Sequence, residues 1–273
     1  MTAVLLALAS AAFFGAMTVA IRLALRGGDA AAGTVATLLP ALAVALAAAA
    51  PAHDLHRAWP FFLAGVLAPG CSQVLFTLSI REAGAARTSI TVAAGPLVAV
   101  AIALALLDEP LRLPLVLGAL AIVGGAVALA GERDRPEHVR VAGLAFAVGA
   151  TVLFAVRDNL VRALHAHANP EAAAVATLLA GTLVALAYAR RVPSSGELRR
   201  FAPAGLLFGL SYVCLFEAYF HGSVSVVSPL VATECLWGVG LSALVLGASE
   251  GVGPRLALGA LLVVTGAVLI GVS

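Results

Sequence analysis

Apolar runs of roughly twenty residues alternate with short polar or turn-forming breaks along this 273-residue chain. The breaks are "RGGDAAAG", "PAHDLHRAWP", "SIREAGAART", "LDEPLRLP", "GERDRPEHVR", "HAHANPE", "RRVPSSGELRR", "HGS" and "SEGVGPR". They cut the sequence into ten segments, each about as long as the ~17–25 residues a membrane-spanning helix requires. The first, "MTAVLLALASAAFFGAMTVAIRLALR", lacks a basic leader and is too long for a signal-peptide core, so it reads as a retained helix.

Composition strengthens that reading. Hydrophobic residues make up 62% of the chain, charged ones 11%, and the mean hydropathy is +1.07. A soluble domain needs more charge to cover its surface, so the expected class is an all-α integral membrane protein. A net charge of +2 is too small to imply a nucleic-acid partner, and all sixteen basic residues are Arg. Cys71, Cys214 and Cys235 sit inside apolar runs and read as small packing residues, with no disulfide or metal site suggested.

The segments come in two copies. "LGALAIVGGAVALAG" (Leu117–Gly131) returns 141 residues later as "LGALLVVTGAVLIGV" (Leu258–Val272), identical at eight of fifteen positions. "VATLL" at Val35–Leu39 recurs at Val175–Leu179, "LF" at Leu75–Phe76 recurs at Leu215–Phe216, and Glu109 precedes Glu250 by 141 residues. The expected organisation is a five-helix repeat over residues 1–131, a connection over 132–140 and a second repeat over 141–273. Five is odd, so the second copy enters the membrane from the opposite face. Ten helices then form two inverted repeats, the arrangement with which transporters alternate access to a central site. Between "TSITVAAGPLVAV" and "SVVSPLVATECLW" the correspondence stays open: a constant offset sets Pro96 against Trp237, and a short gap aligns the motifs otherwise.

These segments resemble the drug/metabolite transporter superfamily, EamA type. The residues that carry the resemblance are "FFGAMTVAIRLAL", "GPLVAVAIALALLDEPLRLPLVLGALAIVGGAVAL" and "ASEGVGPRLALGALLVVTGAVLI". In that family each half closes with a proline-containing helix, a glutamate and a Gly-rich last helix, matched here by Pro96, Glu109 and Gly118, then by Glu250 and Gly259. The resemblance implies export of small metabolites, often amino acids, by proteins similar to aromatic amino-acid exporters. Segment two lacks the basic residue many members carry near its start.

A charge near the bilayer centre costs about 2.5–3.5 kcal/mol on insertion scales, so each one present needs a partner or a wet cavity. Glu234 in "LVATECLWGVG" is the most deeply placed acid and is expected to bind a substrate amine or a coupling proton. Arg157 could hold a substrate carboxylate with two hydrogen bonds. Asp158 follows it directly, about 100° away around a helix, and is expected not to share one site with it. Glu217 lies a turn from the end of segment eight. Tyr212, Phe216, Tyr219 and Trp237 cluster with these acids and suit an aromatic or amphipathic solute. The expectation is that Arg157, Glu217 and Glu234 line one central cavity.

Other residues receive structural assignments. Arg22 and Arg162 end the first helix of each repeat and should snorkel. Glu109 and Glu250 should hydrogen-bond backbone donors at the following helix start. Gly205 and Gly209, with Gly118, Gly124, Gly125, Gly259 and Gly266, allow close helix contact, within one chain or between two. Pro40, Pro69, Pro96 and Pro229 can kink or break their helices. The sequence holds no nucleophile–base pair, metal-ligand spacing or nucleotide fingerprint, so neither enzyme chemistry nor a cofactor is expected.

The expected function is therefore a multi-pass inner-membrane secondary transporter, its partners a small-molecule substrate and the lipid bilayer. By alternating access it would export an amino acid or an amphipathic zwitterion. A lipid-carrier flippase is the alternative. Twelve arginines fall in connections after the odd-numbered segments, against Arg57 and Arg112 on the other face with Arg162 at a helix end, which places both termini outside by the positive-inside rule, whereas the resemblance implies the opposite, both termini inside.

Overall fold

The computed structural model describes residues 2–49, 55–98, 113–130, 140–222 and 224–271. Among these residues the regular structure is helical throughout, with no strand. The first half contains α1 (Thr2–Leu25), α2 (Ala30–Ala48), α3 (Trp59–Gly65), α4 (Ser72–Ala83), α5 (Ala85–Val92) and α6 (Leu113–Ala130). The second contains α7 (Val141–Leu164), α8 (Pro170–Ala189), α9 (Ser195–His221), α10 (Val224–Val231), α11 (Glu234–Leu241) and α12 (Pro254–Gly271).

Among the described residues, seven stretches are long and apolar enough to cross a bilayer: Thr2–Leu25, Ala30–Ala48, His56–Ala83, Val141–His167, Pro170–Ala189, Ser195–His221 and Val226–Leu246. Expected segments five and ten appear as shorter apolar helices, Val116–Gly125 and Pro254–Ile270. Much of segment four, together with Glu109, lies outside the described residues.

Helix starts repeat between the halves. Asp29 accepts from Ala32 N to cap α2, and Asn169 accepts from Ala172 N to cap α8, each at 2.9 Å. The side-chain oxygen satisfies one of the amides that a helix start leaves without a partner.

Contacts at the helix ends fix direction. At one end of the bundle Arg140 N donates to Glu82 O at 2.7 Å, and Arg200 donates to the Gly27 carbonyl. The C-terminal ends of α1 and α4 therefore gather with the N-terminal ends of α7 and α9. At the other end Arg162 at the close of α7 donates to Tyr219 O at 3.1 Å, while Gly222, just past α9, lies against Ala3 of α1. The first helices of the two halves, α1 and α7, consequently run in opposite directions.

Small residues set the closest approaches. A Cβ on Gly118 would stand 2.6 Å from Gly266 O, and one on Gly125 would stand 2.8 Å from Gly259 O, so α6 and α12 touch backbone to backbone. Gly205 and Gly209 of α9 receive Pro40 and Val44 of α2 in the same way. That glycine step is an intrachain contact. At the middle of the bundle Phe14, Phe76 and Phe154 pack together, with ring centroids 5.2 to 6.0 Å apart.

Two membrane-depth helices are interrupted. Between α5 and the helical residues 95–98 the chain turns at Ala93–Ala94, and between α10 and α11 it turns at Ala232–Thr233. Both turns carry the same hydrogen bonds. Ala93 N donates to Ser89 O and Ala94 N to Thr91 O; Ala232 N donates to Ser228 O and Thr233 N to Leu230 O. This pattern aligns the halves locally with an offset of 139, which sets Pro96 against Cys235 and Gly95 against Glu234, not Pro96 against Trp237.

Candidate functional site

The two breaks face one cavity. Val92, Ala93, Gly95 and Pro96 contribute from the first half, and Val231, Ala232 and Glu234 from the second. Side chains of α1 (Ser10, Phe14), α7 (Phe154, Arg157, Asp158, Asn159) and α9 (Ser211, Leu215) complete the wall. Its free volume is about 50 Å³, room for a few waters. Irregular backbone at membrane depth persists where it is buried or lines such a cavity, because the freed amides and carbonyls find no partner in hydrocarbon.

Glu234 is the first residue of α11, immediately after a break, and is only 4% exposed. Its carboxyl lines the cavity and makes no hydrogen bond or ion pair with the described residues. The amides of a helix's first turn favour an acid there. Arg157, also 4% exposed, is held differently. Its Nε donates to Asp158 Oδ1 at 2.7 Å, and its Nη1 donates to the Tyr212 hydroxyl. The guanidinium carbon lies 5.0 Å from the Tyr212 ring centroid and 5.5 Å from that of Phe154, so aromatic faces support the charge that Asp158 balances.

Asp158 corrects an expectation. A 100° separation on α7 does not keep neighbours from one cavity when the longer side chain folds back onto the shorter, and both residues line it. Glu217 corrects another, since it does not line the cavity with Arg157 and Glu234. It sits near the end of α9 with His221 Nδ1 3.3 Å from its carboxylate and Glu171 of α8 close by.

The aromatic residues divide. Tyr212 touches the site directly through Arg157. Phe216 is fully buried and stacks on Tyr212 at 5.4 Å, forming a layer behind it. Tyr219 is buried, and its hydroxyl makes no hydrogen bond among the described residues. Trp237 is 49% exposed and does not line the cavity, although it follows Glu234 by three residues on α11. Sequence reasoning passed over Asp158, Asn159, Phe14 and Phe154 as cavity residues. The Ser-x3-turn pattern shared by Ser89 and Ser228, if aligned with a gap, is the signal that could have located both breaks.

Arg22 does not simply snorkel. It donates to Glu250 and to the Ile80 and Arg81 carbonyls, each of these at 3.2 Å. Glu250 does accept from a backbone amide, but from Ala86 at the start of α5 in the other half, not from its own next helix.

The chain matches the EamA-like transporter family over residues 1–131 and 141–272. It belongs to that family, whose members are membrane transporters of the drug/metabolite transporter superfamily, and is a multi-pass integral membrane protein. No curated protein matches it. A solved structure titled "Crystal structure of protein" shares the fold with a TM-score of 0.71 at 22% identity, over 98% of this chain and 95% of that one.

Proposed function

We propose that the protein is a secondary transporter of the inner cell membrane, built as ten helices in two inverted five-helix repeats. By alternating access it exports a small metabolite, an amino acid or amphipathic zwitterion. The observation that carries this reading is the cavity between two equivalent helix breaks, lined by an unpartnered carboxyl and a balanced arginine. Glu234 takes the substrate amine or a coupling proton. Arg157, with donors left beyond those used on Asp158 and Tyr212, takes a carboxylate.

A free volume of about 50 Å³ is far below the ~300–1,000 Å³ of usual ligand sites, so substrate enters only as the walls part. Inverted repeats supply that motion, since each half can adopt the conformation of the other. A lipid flippase would instead need its polar groups along a lipid-facing groove, and Arg157 and Glu234 are each 4% exposed. Purified protein in proteoliposomes should take up labelled amino acids, and its overproduction should protect cells from toxic analogues. Failure of both across a broad panel would overturn the proposal.

A further inference from the structure

On α4, three polar side chains are buried with no hydrogen-bond partner among the described residues. Ser72 and Gln73 have no exposed surface, and Thr77 is 1% exposed. Ser72 Oγ, both amide atoms of Gln73 and Thr77 Oγ1 have no hydrogen-bond partner among the described residues. These groups sit at membrane depth, since Gln73 is about ten residues, or ~15 Å of helix, from the end of α4 at Ala83. A polar group buried without a partner costs free energy wherever it lies, and water is scarcer here than in a soluble core.

Their placement relative to the site is specific. Ser72 and Gln73 precede Phe76 by four and three residues, so all three share one face of α4, and Thr77 follows Gln73 by one turn. Phe76 in turn packs on Phe14 at 5.2 Å and on Phe154 at 6.0 Å, the two rings that line the cavity. Phe76 thus sets the neutral polar cluster on the same face of α4 as a ring that packs directly on the cavity wall. Just ahead of the cluster, helix geometry is interrupted over Val66–Cys71, where Ala68 is extended at φ −144° and ψ 120°. Irregular helical turns of this kind recur at functional sites.

We propose that Ser72, Gln73 and Thr77 form a second substrate station, uncharged, which receives a carboxamide or hydroxyl at the far end of a substrate whose amine is held at Glu234. The station rests on the transport reading and narrows it to solutes with a neutral hydrogen-bonding tail. Phe76 links the two stations through its contacts with Phe14 and Phe154. Gln73 offers both a donor and an acceptor, which matches a carboxamide, and the hydroxyls of Ser72 and Thr77 adapt to either role.

The test compares labelled L-glutamine with L-leucine in proteoliposomes containing wild type, Gln73→Leu or Thr77→Val. Gln73→Leu should raise the KM for glutamine about tenfold while leaving leucine within about twofold, because only glutamine loses a paired group. Equal effects on both solutes, or none, would overturn the station. Unfolding temperature in detergent without solute gives an independent readout. Removing unpaired polar atoms at constant volume should leave it unchanged or raise it, and a fall would show that Gln73 already bonds to the protein. Wild type that moves other solutes of the panel but neither of these two overturns the station alone, as does unaltered selectivity in Gln73→Leu, whereas failure of uptake and of protection across the whole panel overturns the transport reading and the station with it.

Discussion

Arg22 of the first half and Glu250 of the second meet at 2.7 Å, Nε to Oε1, with the glutamate side chain completely buried. The other carboxylate oxygen accepts from Ala86 N at 3.4 Å, and Arg87 donates to the Glu250 carbonyl at 2.9 Å. Three segments distant in sequence are tied at one end of the bundle by a single residue. At the opposite end Arg162 reaches the Tyr219 carbonyl much as Arg22 reaches that of Ile80. Both arginines act as struts across helix ends.

Removing one partner of a buried pair leaves the other charge uncompensated. Glu250→Ala should therefore cost about 3–5 kcal/mol in denaturant unfolding measured in detergent. The exchange Arg22→Glu with Glu250→Arg should recover part of that loss, and no recovery would mean the backbone contacts of Glu250 dominate.

Arg157 uses two differently directed donors, on Asp158 and on Tyr212, which a lysine cannot reproduce. Arg157→Lys should lower the uptake rate about 10–100-fold in proteoliposomes, and Tyr212→Phe about tenfold, through the single lost hydrogen bond. An unaffected Arg157→Lys variant would remove the guanidinium from the mechanism.

If Glu234 carries the coupling proton, uptake should respond to an imposed pH gradient and Glu234→Gln should abolish that response while the protein still folds. A wild type insensitive to the gradient would leave Glu234 only its role toward the substrate amine. Unchanged transport in Glu234→Gln would remove both roles.

Two neighbouring glycines of α6 should behave oppositely. Gly118→Val drives a side chain into the Gly266 carbonyl and should destabilise by roughly 1–3 kcal/mol or more. Gly124→Ala meets nothing nearer than Leu262 Cδ1 at 3.8 Å and should be neutral or slightly stabilising through helix propensity. Thermal unfolding of the two variants side by side makes the comparison.

Orientation rests on the loop arginines. The structure withdraws Arg87, which is 1% exposed and bonded within the protein, from the exposed set. Arg26, Arg81, Arg140, Arg190, Arg191, Arg199, Arg200 and Arg255 still outweigh Arg57 and Arg162 across the described residues. Both termini should accordingly lie outside. A C-terminal reporter active only in the periplasm agrees with this, and one active only in the cytoplasm reverses it.

The membrane class and the duplication were legible in the chain itself, because hydrocarbon imposes an apolar composition on every span and a duplicated gene leaves matching strings such as "VATLL". Glu234 and Arg157 stood out for the same reason, as charges that a bilayer does not tolerate without cause. What the chain could not disclose is where each side chain points once helices break and pack. The turns at Ala93–Ala94 and Ala232–Thr233 shift the local correspondence by two residues, which puts glycine opposite Glu234. Asp158 joined the site because Arg157 bends back toward it. Glu217 left it because α9 carries it toward His221 and Glu171. Composition is set by the solvent each segment meets, whereas a site is set by contacts between segments, and those exist only after the helices have packed.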